Sequence, residues 1–193
     1  MPLRDPAPML AQAKAQWGGK TDLWVFAYAS LIWRPDFDPS EQRLARVHGW
    51  HRALKMWSRV NRGTPARPGL VFALLPGGSC QGAVLRVPQV DGQAVLERLW
   101  DREMVTGVYD PRWLPCQTHQ GPVQALGFTL SRKSPNFTGE LSAQHYRDIF
   151  AGSHGRYGST LDYASQTLHC LQQHGIQDRA LHRLMRHARE PSR

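Results

Sequence analysis

Five strand-like runs, each stopped by glycine, proline or a polar turn, constrain this chain of 193 residues most tightly. They lie near Leu23–Tyr28, Ala45–Val60 (with an interruption), Leu70–Leu75, Gly82–Val87 and Val123–Leu130. Arg62-Gly-Thr-Pro65 and Pro76-Gly-Gly78 punctuate the series as turns. Short strands at this spacing predict a curved, barrel-like sheet. Helices are predicted over 91–104, 161–173 and 178–188, with Gly175 suited to a C-terminal cap. Shorter helical segments are expected at 11–17 and 142–150, and a loop at 131–140. No repeat or interdomain linker is visible. Residues 1–20, rich in Pro, Ala, Gln and Gly, read as a flexible N-terminal extension, and residues 21–190 as one domain.

Charge and cysteine usage narrow the class. Lys plus Arg number 24 against 15 Asp plus Glu, a formal charge of +9. The surplus is almost all arginine and is dispersed, without the clustered run or recognition motif of a nucleic-acid module. It reads first as a solvated basic surface, with small acidic substrates among the partners it could attract. Cys80, Cys116 and Cys170 form no CxxC pair, and their odd number speaks for a reducing, cytoplasmic setting. No apolar stretch approaches 18 residues, so no membrane partner is expected. His48 and His51 have no further ligands nearby, so no metal site is expected. Neither a phosphate-binding nor a dinucleotide-binding glycine fingerprint occurs.

Two segments carry chemistry. Phe26-Ala-Tyr-Ala-Ser-Leu-Ile-Trp-Arg-Pro35 runs from a hydrophobic strand into small residues, then aromatics and Arg34. A strand ending in Ala29 and Ser30 lets a ligand approach the backbone, with Tyr28, Trp33 and Arg34 as walls and charge. In the helix at 91–104, Leu96, Leu99, Trp100 and Glu103 form one stripe at i, i+3, i+4 and i+7. Three of those positions belong in a core and the fourth is an acid. Glu103 either reaches solvent at the stripe's end or is a desolvated carboxylate that exchanges protons near neutrality. Arg102, adjacent in sequence, falls on another face of the ideal helix. Gly107 opens the backbone beyond it, and Tyr109 adds a phenol.

These segments, with Arg62-Gly-Thr-Pro65, Pro68-Gly-Leu70, Arg102-Glu-Met104, Tyr157-Gly158 and Asp162-Tyr163, occur in the order seen in one family. Over roughly residues 23–185 the chain resembles the ChaC-type gamma-glutamylcyclotransferases. The resemblance implies an α+β fold, a small mixed beta barrel with flanking helices. It implies cleavage of glutathione to 5-oxoproline and cysteinylglycine, without metal or organic cofactor. It assigns Glu103 the general acid/base role, and Tyr28, Ala29, Ser30 and Leu31 to the loop holding the gamma-glutamyl group. Ala29 departs from the family's usual glycine. A positive φ there would penalise alanine by about 1 kcal/mol, whereas a negative φ would leave only its methyl as a difference.

The implied reaction needs few groups, because the substrate's α-amine is the nucleophile. Backbone N–H groups of Ala29–Leu31 are candidates for stabilising the carbonyl oxygen, with Tyr28 or Tyr109 as hydroxyl donors. Arg34, Arg59 and Arg62 are either carboxylate-binding or surface groups. Ser30 either donates to ligand or stabilises the turn, and Trp33 is either a pocket wall or a ligand contact. Tyr157 follows Gly152-Ser-His-Gly155, read either as a closing lid or as a packed loop. A monomer suffices for this chemistry. The alternatives are a cyclotransferase for another gamma-glutamyl amine or dipeptide, and a non-enzymatic regulator of ion transport.

Overall fold

The computed structural model describes residues 4–188. Its elements are α1 (Ala7–Trp17), β1 (Leu23–Ala27), the single turn α2 (Ser30–Trp33), β2 (Glu41–Ser58), β3 (Gly69–Val87) and α3 (Gln89–Glu103). Then follow β4 (Asp110–Thr118), β5 (Gly121–Thr129), α4 (Ala143–Gly152), β6 (His154–Gly155), β7 (Gly158–Ser159), α5 (Thr160–Gln173) and α6 (Arg179–Met185). β1, β3, β2, β4 and β5 pair in that order and close into a barrel. β1–β3, β2–β4 and β4–β5 are antiparallel, whereas β5 meets β1 and β3 in parallel. The expected α+β architecture with a small mixed barrel is the one observed.

Three strands differ from the sequence reading, the first being β2, which runs from Glu41 to Ser58 without the expected interruption. The runs at Leu70–Leu75 and Gly82–Val87 belong to one strand, β3, which passes through Pro76-Gly-Gly78 without ending. Gly77 and Gly78 take φ values of 102° and 71°, which lets the strand bend where a turn was expected. The carbonyl of Gly77 accepts from, or is approached by, His51 Nδ1 at 2.8 Å. β4 was missed because Pro111 and Pro115 argue against a strand. Both prolines sit in its ladder with β5, Pro111 opposite Phe128 and Pro115 opposite Gln124, whereas its pairing with β2 runs over Ala45–Val47 against Cys116–Thr118.

Two compact units can be described: residues up to 51 with 74–134, and residues 52–73 with those from 135 onward. In the first unit, Leu23, Val25, Phe26, Leu74, Leu85, Leu126 and Phe128 are almost fully buried. The N-terminal segment, expected as a flexible extension, is helical from Ala7 and fastened to this unit. Trp17 lies over Gly92, leaving no room for a β-carbon there. Trp100 Nε1 donates to the Pro6 carbonyl at 3.0 Å, and Lys14 pairs with Glu97 at 2.6 Å. Apolar contact at Trp17 and Ala13 thus recruits a segment whose composition looks like linker. Residues 1–3 and 189–190 of the expected division lie outside the described residues.

In the second unit a buried polar cluster joins helix to strand. Thr160 is fully buried, and its Oγ1 accepts from the Leu70 N–H at 2.9 Å and from Ser153 Oγ at 2.8 Å. Thr160→Val keeps the shape but strands both donors without water, which costs about 1–3 kcal/mol. Urea unfolding of the variant is expected to show that loss; an unchanged midpoint would mean the cluster contributes nothing.

Candidate active site

The apolar stripe of α3 is real: Leu96, Leu99 and Trp100 are buried and Glu103 follows on the last turn. The Glu103 side chain is 17% exposed. Loss of hydration raises its carboxyl above the ordinary glutamate value, the Arg102 guanidinium opposes that, and Asp36 adds a smaller upward push. A carboxyl held this way is suited to both accepting and returning a proton.

Arg102 is the residue that spacing on an ideal helix missed. At the fraying end of α3 its long side chain turns back, and Nε lies 3.0 Å from Glu103 Oε1. Nη2 donates to Ser30 Oγ at 3.1 Å, and Nη1 donates to both the Arg34 carbonyl and Asp36 Oδ2. One guanidinium therefore ties the acid to the small-residue loop after β1. Asp36 also pairs with Arg34 Nε at 3.3 Å. It has φ 62°, the only positive value outside glycine among the described residues. A flexible-chain argument from sequence cannot find such a cluster, since Ser30, Asp36 and Arg102 are joined only by folding.

The aromatic groups assemble around Phe128. Tyr28 is buried and its hydroxyl donates to the Phe128 carbonyl at 2.9 Å. That proton is committed to the barrel, so Tyr28 is less suited than expected to donate to an oxyanion. Tyr109 is buried edge-on to Phe128, with ring centroids 6.2 Å apart. Its backbone is secured by the N-terminal segment: Arg4 Nη2 donates to the Tyr109 carbonyl at 2.7 Å and Nε to the Gly107 carbonyl at 3.0 Å. Gly107 has φ 61°, and a β-carbon there would collide with the Arg4 carbonyl. Composition gave no sign that residue 4 braces the segment after Glu103.

Ala29 caps α2 at φ −144°, so the left-handed penalty does not arise and only its buried methyl distinguishes it from glycine. Leu31 is buried beneath the same turn and Trp33, half-buried, closes it. The first N–H groups of a helix have no carbonyl partner within it, so this turn presents backbone donors beside Ser30.

Arg62 and Tyr157 belong to the second unit and meet one another there. Arg62 Nη1 donates to the Tyr157 carbonyl, and its guanidinium lies 4.8 Å from the Tyr163 ring. Tyr157 itself is half-exposed, with Arg156 over its ring. The β6–β7 hairpin is anchored: Arg156 N–H donates to the Val60 carbonyl at 2.8 Å and Tyr157 N–H to the Asn61 carbonyl at 3.0 Å. Of the two readings of this segment, packed loop fits and lid does not. Arg59 donates to Asn136 Oδ1 at 2.8 Å. Two surface pockets of the first unit, one edged by Trp24, Arg43 and Arg86 and one by Trp50 and Arg112, do not include Glu103.

The sequence profile of the ChaC-like protein family matches residues 23–191. A glutathione-specific gamma-glutamylcyclotransferase of Escherichia coli is 32% identical over 164 residues, covering 84% of this chain and 71% of that protein. Glutathione-specific gamma-glutamylcyclotransferase 1 of Mus musculus is 30% identical over 167 residues, covering 84% and 75%. The crystal structure of a yeast gamma-glutamyl cyclotransferase specific to glutathione superposes with a TM-score of 0.79 at 22% identity, over 88% of this chain and 96% of that one. Both the barrel and the span of the matched sequence agree, and this chain is a member of the ChaC-like protein family.

Proposed function

We propose that this protein is a gamma-glutamylcyclotransferase that cleaves glutathione to 5-oxoproline and cysteinylglycine. The observation that carries the reading is a largely buried Glu103 tied through Arg102 to Ser30, in a chain whose relatives bear that activity in their names. Glu103 takes a proton from the glutamyl α-ammonium. The freed amine attacks the γ-carbonyl carbon, forming the lactam C–N bond, and the amide C–N bond to cysteine then breaks. The attacking nitrogen gives up a second proton as the lactam forms, and Glu103 relays both protons in turn to the departing cysteinyl nitrogen, which leaves as an ammonium, so no proton is gained or lost overall. Backbone N–H groups of Ala29–Leu31 are the donors assigned to the developing oxyanion. Tyr28, Leu31 and Trp33 shape the glutamyl side of the pocket.

No group beyond these side chains and backbone donors is required, so neither metal nor organic cofactor enters the mechanism, and a monomer suffices. Three buried free cysteines accord with a reducing, cytoplasmic setting. No helix among the described residues is long and apolar enough to cross a membrane.

Pure protein incubated with glutathione is expected to release 5-oxoproline and cysteinylglycine in equal amounts, followed by mass spectrometry. Other gamma-glutamyl amides and dipeptides, run in parallel, are expected to turn over more slowly. Turnover of one of them in place of glutathione would transfer the assignment to that substrate, and no lactam from any would overturn the reading.

A further inference from the structure

Among the contacts around Glu103, those of Arg102 are spread over four partners, Glu103 beside it and three groups of the segment 30–36. Its Nε faces Glu103 at 3.0 Å, its Nη2 faces Ser30 Oγ at 3.1 Å, and its Nη1 is held by Asp36 and the Arg34 carbonyl. We propose that Arg102 is a positioning residue for the acid/base step: its guanidinium holds Glu103 in register with the Tyr28–Leu31 loop, and Asp36 draws part of its charge away from Glu103. The proposal rests on the reading of Glu103 as the proton carrier.

Three features support it. A planar fork with donors pointing in fixed directions can satisfy a carboxylate, a hydroxyl and a second carboxylate together, whereas an ammonium offers one point charge. The order this imposes matters, because a misplacement of about 1 Å between reacting groups can cost on the order of 10²-fold in rate. Asp36, in turn, sits at φ 62°. A non-glycine residue in that conformation persists only where its surroundings hold it, and here two guanidiniums, Arg34 and Arg102, do so.

Asp36 and Arg102 act on Glu103's proton in opposite senses. The charged groups facing Glu103 are Arg102 of α3 and, from the segment after α2, Asp36 with Arg34 behind it. Arg102 favours the carboxylate and Asp36 disfavours it. The Asp36 side chain is 44% exposed while those of Arg102 and Glu103 are 21% and 17% exposed. Water therefore screens Asp36 more, and its effect is the smaller.

Arg102→Gln, Arg102→Lys and Asp36→Asn test this directly, asparagine being tolerant of positive φ. Two readouts are needed: the pH dependence of kcat/KM with glutathione, and the titration of the Glu103 carboxyl carbon by NMR without substrate. Arg102→Gln is expected to move the Glu103 midpoint to higher pH, and Asp36→Asn to lower pH by a smaller amount. Arg102→Gln should also lower kcat on the order of 10²-fold with little change in KM. Arg102→Lys should return the midpoint toward wild type without restoring kcat. A purely structural role would shift both midpoints the same way or not at all, and either result overturns the proposal, as does full kcat in Arg102→Gln. If Arg102→Gln does not fold, Arg102→Lys and Asp36→Asn still decide it. Absence of glutathione turnover in the wild type would defeat the functional reading alone, since the NMR titration needs no substrate.

Discussion

Glu103→Gln is expected to lower kcat/KM for glutathione by roughly 10²–10⁴-fold at neutral pH, the usual range for losing a general acid/base. Glutamine keeps the length and planarity of the side chain and can still meet Arg102, so KM should change little. The measurement is steady-state release of 5-oxoproline, with folding checked by thermal unfolding. Wild-type turnover in the variant would defeat the assignment of Glu103. The same substitution carries a stability signature whose sign follows from burial. Because the folded state raises the carboxyl above its ordinary value, holding it ionised costs stability. That cost is absent below the unfolded-state value and sets in as pH rises through the window up to the raised folded value. Glutamine has no such titration. The variant should therefore match the wild type in acid and be at least as stable near neutrality, pairing lost activity with retained or increased melting temperature. A variant that melts lower at neutral pH would point to Glu103 as a structural ion-pair partner.

The largest stability effect is expected in the second unit, from Asp178→Ala. Asp178 Oδ2 pairs with Arg52, at 2.9 Å from Nη2 and 3.0 Å from Nε, and the Arg52 side chain is only 3% exposed. Its other oxygen accepts from the Leu181 N–H at 2.9 Å and caps α6. Alanine removes both. Removing the carboxylate from a buried ion pair costs about 3–5 kcal/mol, and a lost cap about 0.5–2 kcal/mol. Against a total stability of about 5–15 kcal/mol for a protein of ordinary size, the variant should be severely destabilised. Asp178→Asn separates the two contributions, since asparagine caps as well as aspartate but lacks the charge. It should fall between wild type and alanine in chemical denaturation. Equal loss in both variants would assign the whole effect to the ion pair, and a loss below about 1 kcal/mol in alanine would contradict the buried-pair account.

Much of this architecture was legible from local pattern. The helical stripe ending in an acid named Glu103, and the strand breaking into Ala29 and Ser30 named the loop, because burial and backbone approach leave their mark on neighbouring residues. Pattern failed where a residue's neighbours in space are remote in sequence. Pro111 and Pro115 hid β4, since a proline is excluded from a strand only if a partner needs its N–H. Pro76-Gly-Gly78 looked like a turn, yet the same glycine freedom let one strand bend and continue. The N-terminal segment, linker-like in composition, became part of the first unit because Trp17 had a glycine on α3 to pack against.

The sequence by itself determined the kind of fold and singled out Glu103 and the Ala29–Ser30 loop as candidates, whose roles only the family resemblance implied. It could single them out because a helical stripe and a strand end are set by the period and chemistry of a few adjacent residues. Only the tertiary structure decided how that acid is held. The cation that controls Glu103 is its own neighbour turned back at a helix end, shared with Ser30 and Asp36. No periodicity encodes that sharing, because the three partners are brought together by barrel closure and the path of the chain after β1. The same holds for the penalty anticipated at Ala29, which depended on one backbone angle that only the folded loop fixes.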